Sequence, residues 1–299
     1  MALLITDLDN TLYDWVTFFA KAFQGMVEEL SGLLDVNREQ LYSEFKTLNQ
    51  RCGTSEQPFT ALELPSVRKR FGSLSRRELM RALDRPLHVF NRLRNQHLHL
   101  YPSVEETLRT LSDRGVVLVG HTESIAENAL FRLQKLRVES YFKHLYVLES
   151  TYPGHPDPER ASALAPPPDF IRTIPLPERK PNPALLLDIC RREGVDPRDA
   201  LYVGDSLTRD IGMATAAGVT AAWARYGTQY DRDLWKILVR VTHWTDEDVA
   251  REEELKKEYH GVNPDFTIDS FDEVLQILGH RADRSLPVLT AAAAAASNS

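Results

Sequence analysis

The first apolar block is short. Leu3, Leu4 and Ile5 form a continuous run that stops at Asp7, the pattern of a buried parallel strand emerging at its C-terminal edge. At Trp15 the period changes: Trp15, Phe18, Phe19, Phe23, Met26, Val27 and Leu30 recur three and four positions apart, which predicts an amphipathic helix. Asn37, with Gln40 three residues on, reads as a capping box opening a second helix through Leu48. Segments 75–83 and 87–97 carry helical spacing on either side of Pro86. Residues 15–99 therefore read as mostly helical.

Beyond Tyr101 the pattern alternates. Ser103 and Glu106 cap a helix ending near Gly115, and Val116–Val119 reads as a buried strand. A helix from about Ile125 to Leu136 precedes a strand at 145–148, a helix at 183–193 precedes a strand at 200–203, and a helix near 210–217 leads to a strand at 220–223. Such alternation predicts βαβ units with right-handed crossovers on a parallel sheet. Two stretches interrupt it. Residues 150–183 hold ten of the seventeen prolines and predict a long irregular loop. Residues 228–260 read as a charged helical insert before a last unit at 265–278, and the acidic run 252–254 as a solvated helix face. Residues 281–299 are a low-complexity tail containing six consecutive alanines.

Composition narrows the function classes. With 299 residues, 42% of them hydrophobic, the chain can bury a sizeable core and has the length of about two domains. Acidic residues outnumber Lys and Arg by 43 to 36, and the basic ones are scattered, which argues against a nucleic-acid polymer as partner. Cys52 and Cys190 form no CxxC pair, so neither a disulfide scaffold nor a Cys-based zinc site is expected. The N-terminus lacks a basic n-region, and no apolar run approaches the ~18 residues of a membrane span, so the expectation is a cytoplasmic protein with no membrane partner.

The chemistry gathers at strand ends. Asp7 and Asp9 flank Leu8 directly after the first strand; in an extended segment positions i and i+2 face one way, which predicts two carboxylates presented to one point. Like charges so close call for a divalent cation or a raised pKa, and suit a nucleophile beside a general acid/base. Asp205 and Asp210 follow the strand at 200–203 and supply further acids, in an oxygen-rich set suited to Mg2+. Thr122 after the strand at 116–119 and Lys180 before a helix are expected at loop positions where a hydroxyl and an ammonium can bind phosphate. Each residue alone also has an ordinary structural reading as a turn, helix cap or solvated side chain. His97 and His99 read as surface or interface histidines with no visible third ligand; His121 could reach a leaving group or bond to backbone; Trp15 could floor the site's mouth.

Taken in order, DLDNT at 7–11, VVLVGHT at 116–122, Lys180-Pro181 and VGDSLTRD at 203–210 resemble the four motifs of the haloacid dehalogenase-like hydrolase superfamily. The resemblance implies an α/β fold: a Rossmann-like parallel-sheet core at 1–14 and 100–280, with a mostly helical cap at 15–99 inserted between the first and second motifs. It implies Asp7 as a nucleophile forming an aspartyl-phosphate, Asp9 as general acid/base and Lys180 as the group holding Asp7 and the phosphoryl. Phosphate binding falls to Thr122, Glu123 and Leu8. A Mg2+ ion falls to Asp7, the backbone carbonyl of Asp9, and Asp205, with Asp210 and Thr11 in support. Asp9 is the acid that the dehalogenases of the superfamily lack and its phosphatases have. The resemblance thus implies Mg2+-dependent hydrolysis of a small phosphorylated metabolite by a phosphatase, a nucleotidase or a phosphoglycolate or sugar-phosphate phosphatase among the options. Asn10-Thr11-Leu12-Tyr13 resembles nucleotidase members. A non-catalytic phospho-ligand or protein-binding member is the alternative, and a 2-haloacid dehalogenase the third reading. Glu123 stands where many members have asparagine, and the stretch before Lys180 and the insert at 228–260 depart from the family pattern.

Overall fold

The protein is described here by a computed structural model covering residues 2–149 and 169–284. Its frame is a seven-stranded sheet in which every neighbouring pair is parallel, in the order β4-β3-β2-β1-β5-β6-β7. The strands are β1 (Leu3–Thr6), β2 (Val117–Ile125), β3 (His144–Leu148), β4 (Ile171–Ile174), β5 (Ala200–Gly204), β6 (Thr220–Ala224) and β7 (Phe266–Ile268). The chain fills one half of the sheet outward from β1 to β4, then returns to the other side of β1 at β5. The order reverses around β1, and at such a switch point an α/β sheet opens a crevice beyond the carboxyl ends of its strands.

Five helices form a block between β1 and the crossover that leads to β2: α1 (Trp15–Leu34), α2 (Arg38–Cys52), α3 (Pro65–Phe71), α4 (Arg76–Ala82) and α5 (Asp84–His97). They are held by an aromatic cluster in which Trp15 stacks on Phe19 at 5.4 Å and Phe23 meets Phe45 edge-on at 4.8 Å. The crossover helices are α6 (Val104–Asp113), α7 (Ala126–Leu136), α8 (Pro183–Glu193), the short α9 (Met213–Ala216) and, at the C-terminal end, α12 (Val274–Arg284). The pleat divides the core. Leu4, Leu118, Leu145 and Val203 face α6, α7 and α12, whereas Leu3, Ile5, Val119 and Tyr202 face α8 and α9. The insert forms α10 (Arg232–Val241) and α11 (Asp246–Glu258), and α10 packs on α1 and α2.

Several local expectations change. Asn37 accepts from the Gln40 N–H at 2.8 Å, but the Gln40 amide turns to Glu44 and Ser66, so only half of the capping box forms. Pro86 sits in the first turn of α5, where no intrahelical N–H is required, so α4 and α5 part at Leu83 instead. Ser103 gives α6 no side-chain cap; its hydroxyl faces Ser270 and Asp272. Strand β2 continues beyond Val119 through Ile125, so Thr122 and Glu123 lie in the strand, within a register shift between His121 and Ile125, and not in a loop. Within the proline-rich stretch, residues 171–174 pair with β3 as an edge strand. Its residues 150–168, and 285–299 of the tail, lie outside the described residues.

Candidate active site

Three adjacent strand ends and one loop supply the site. After β1 the Asp7 N–H donates to the Val203 carbonyl at 2.8 Å, which ties the first motif to β5. The chain then leaves extended geometry: the Thr11 and Leu12 N–H groups return to the Leu8 carbonyl, and Asn10 takes the left-handed conformation at φ 56°, which asparagine tolerates. This turn brings the Thr11 hydroxyl to 3.4 Å from Asp7 Oδ2. It also separates the two acids that an extended segment would have aimed at one point. Asp7 faces Lys180, while Asp9 accepts from Ser124 Oγ at 2.9 Å and lies 2.9 Å from Nη1 of Arg132, as an ion pair and not an aligned hydrogen bond. The Leu8 side chain is fully buried against the sheet, which leaves its backbone as the only part able to meet a ligand.

Lys180 is 3% exposed and donates to Asp7 Oδ1 at 2.6 Å and to Asp210 Oδ1 at 2.8 Å. Burial opposes its charge, but the two carboxylates outweigh burial and hold its pKa well above the usual lysine value. Burial pushes the Asp7 carboxyl up, Lys180 pulls against that rise, and Asp210 and Asp9 add to it, leaving Asp7 at about 7. Asp210 is itself held on every side: Oδ1 also accepts from Tyr202 Oη at 3.1 Å and Oδ2 from the Ser206 N–H at 3.0 Å. Gly204 permits this approach, because a Cβ there would stand 2.4 Å from the Asp210 carboxylate. Asp210 is thus fixed in place as the second carboxylate partner of Lys180.

Carboxylate oxygens of Asp7, Asp205 and Asp210 lie within 4.8 Å of one another. Burial and the charges of Asp7 and Asp210 push the Asp205 carboxyl well up, so a cation here would relieve a real electrostatic cost. Its backbone carbonyl accepts from Trp223 Nε1 at 2.8 Å, which fixes the loop after β5. A set of hard oxygen donors at strand ends fits Mg2+. The Asp9 carboxylate is not part of this cluster.

Thr122 is buried, and its hydroxyl accepts from the Ser124 N–H at 3.1 Å. The Glu123 side chain turns to Arg209 at 3.0 Å, which neutralises the acid standing at the usual asparagine position. His121 points into the sheet: its ring meets Tyr202 edge-on at 6.0 Å, with Nδ1 3.3 Å from the tyrosine hydroxyl, so the leaving-group reading does not hold. His99 bonds to the Gln96 carbonyl, and neither it nor His97 belongs to the acidic cluster. Trp15 Nε1 donates to Glu56 at 2.9 Å. Tyr202, Ser124, Glu56 and Arg132 were not singled out by the sequence reading. The one available signal was Arg132, a charge on the α7 stripe otherwise made of Ala129, Leu130 and Leu133.

Comparisons with known proteins point to one superfamily. The family described as haloacid dehalogenase-like hydrolase matches residues 4–164, and a HAD-hydrolase-like family matches 178–274. The chain is 25% identical over 233 residues to glyceraldehyde 3-phosphate phosphatase of Methanopyrus kandleri, covering 77% of this chain and 86% of that one. It is 30% identical over 135 residues to phosphoglycolate phosphatase 1 of Pseudomonas aeruginosa, covering 45% and 40%, so it spans less than half of that relative. Among solved structures, the 2-haloacid dehalogenase of Pseudomonas syringae pv. Tomato DC3000 shares the fold, with a TM-score of 0.54 at 21% identity over 94% of this chain and all of that one. The chain belongs to the haloacid dehalogenase-like hydrolases.

Proposed function

We propose that the protein hydrolyses a small phosphomonoester through an aspartyl-phosphate formed on Asp7. The observation that carries this reading is the pairing of a buried Asp7 with Lys180 at 2.6 Å, beside Asp205 and Asp210 at the neighbouring strand end. Asp7 Oδ2, the oxygen not held by Lys180, attacks phosphorus in line with the leaving alcohol, and the P–O bond to that alcohol breaks as the P–O bond to Asp7 forms. Asp9 gives a proton to the departing oxygen, then takes one from the water that opens the aspartyl-phosphate. Lys180 compensates charge on Asp7 and on the transferring group, with Asp210 and Tyr202 keeping its ammonium in place. Thr122 and the backbone at Leu8 and Glu123 contribute phosphate contacts. Asp7, Asp205 and the Asp9 carbonyl would hold Mg2+, which supplies charge neutralisation on the phosphoryl oxygens when bound.

The helical block at 15–99 serves as a cap that covers the site and chooses the alcohol half of the substrate. Its relatives' names put phosphoglycolate and glyceraldehyde 3-phosphate first among substrates to test. In the nucleotidase-like segment Tyr13 is fully buried, and the Asn10 N–H bonds to the Tyr13 carbonyl within the turn. Both cysteines are free thiols, in keeping with a reducing cytoplasmic setting. The test is phosphate release from p-nitrophenyl phosphate and a panel of alkyl phosphates, with Mg2+ and with EDTA. Release should require the cation and should fall at least ~10³-fold in Asp7→Asn, which keeps the shape but not the nucleophile. Hydrolysis retained by Asp7→Asn would remove the mechanism.

A further inference from the structure

Arg132 is fully buried on α7, with its guanidinium carbon 5.6 Å from the ring centre of Tyr13 and 5.9 Å from that of Phe18. Its guanidinium makes four contacts to four different places. Nε donates to the Asn128 carbonyl of its own helix at 3.1 Å, and Nη2 donates to Ser124 Oγ on β2 at 2.7 Å. Nη1 lies 2.9 Å from Asp9 Oδ1, in the turn after β1, and donates to Glu56 Oε1 of the helical block at 3.1 Å. A guanidinium taken out of water needs a counter-charge, and one carboxylate meets that need; two acids from opposite sides of the cap–core boundary ask for another explanation.

We propose that Arg132 is a positioning residue for the Asp9 carboxylate, and that Glu56 makes this positioning depend on the seating of the helical block. The inference rests on the phosphatase reading above, which assigns Asp9 the proton transfers. Ser124 Oγ accepts from Arg132 while donating to Asp9 Oδ2, so the arginine fixes one carboxylate oxygen directly and the other through a hydroxyl. A general acid works only when its proton is aimed at the departing oxygen, so the contacts that fix the carboxylate itself matter beyond those that fix the turn carrying it. Glu56 is in turn held by Trp15 Nε1 at 2.9 Å, which places the far anchor of the cluster firmly in the block. Lifting the block would take Glu56 from Arg132 and leave the guanidinium, and the Asp9 carboxylate it holds, with one fixed contact fewer.

The readout is the dependence of the first half-reaction on the leaving group. p-Nitrophenolate departs without a proton, whereas the alkoxide of ethyl phosphate or phosphoglycolate needs one. In single-turnover measurements Arg132→Met should lose about 10²-fold in alcohol release from the alkyl esters. The p-nitrophenolate burst should change far less, as should be seen in Asp9→Asn. Arg132→Lys should recover part of the loss. Should Arg132→Met fail to fold, Glu56→Ala against Glu56→Gln asks the same question: the alanine variant should show the selective loss, and the glutamine variant, which keeps an acceptor oxygen for Arg132, should stay near wild type. Equal loss on both leaving groups, or none, in folded Arg132→Met and Glu56→Ala overturns the role of Arg132 while leaving the phosphatase reading intact. Wild-type protein that releases phosphate from none of these esters overturns the underlying reading and this inference with it.

Discussion

Asp7 illustrates how a functional residue is held against its own preference. Its carboxyl stands at about 7 against 3.8 for an ordinary aspartate, because burial outweighs the attraction of Lys180. The consequence for stability follows by linkage. Below about pH 4 the side chain is protonated in both folded and unfolded chains, and nothing is lost. As pH rises toward 7 the unfolded chain gives up this proton while the folded one keeps it, so wild-type stability falls through that window. Asp7→Asn does not titrate. In EDTA its advantage over the wild type should be smallest below about pH 4 and grow steadily up to about pH 7, by about 2–4 kcal/mol at the plateau. Denaturant unfolding at a series of pH values reads this directly, and a gap that is constant or reversed would show that Asp7 is comfortable as a buried anion. Much of this residue scale is local and legible: Asp7, Lys180, Asp205 and Asp210 lie beside strand ends that the apolar runs announce. The partner of Asp9 is not, since Arg132 and Glu56 are separated by 76 residues and meet only through docking.

Among the elements, α10 has a role that its charged, amphipathic sequence hides. It runs along α1 and α2, so the insert after β6 braces the helical block. Asn49 on α2 is fully buried and donates to the Val241 carbonyl at 2.6 Å. Nearby, the His243 N–H donates to Ser55 Oγ, and the Gln50 amide reaches the Trp244 carbonyl. The next helix turns back to the catalytic loop: Arg179 pairs with Asp248 at 2.8 Å, and Arg251 donates to the Lys180 carbonyl. Asn49→Ala should therefore cost about 1–3 kcal/mol, the penalty of leaving a buried carbonyl without its donor. It should also raise hydrogen exchange at the C-terminal end of α10 more than in the sheet. An unchanged stability would mean that the brace is held by its apolar face alone. The helix itself is readable from spacing; its docking site is not, because an amphipathic stripe states that a face is buried without saying against what.

At the scale of the whole molecule, one apolar core joins the helical block, α10 and one face of the sheet without a gap, from Phe19 and Phe45 through Leu234 and Leu238 to Leu4 and Val203. A block joined in this way should not melt separately. Tryptophan fluorescence, dominated by Trp15, Trp235 and Trp244 on the helical side, should follow the same thermal transition as the far-ultraviolet circular dichroism of the entire chain. Two resolved transitions would show that the block unfolds on its own. Sequence by itself determined the alternation of strands and helices, the parallel sheet and the strand-end acids, because burial periodicity and turn chemistry are written within a few residues of one another. It misjudged the direction of Asp9, the loop placement of Thr122, the cap at Ser103 and the strand at 171–174. Those were decided by tertiary structure, since the partner of a buried charge and the register of an edge strand depend on which distant surfaces meet, and local pattern carries no record of that.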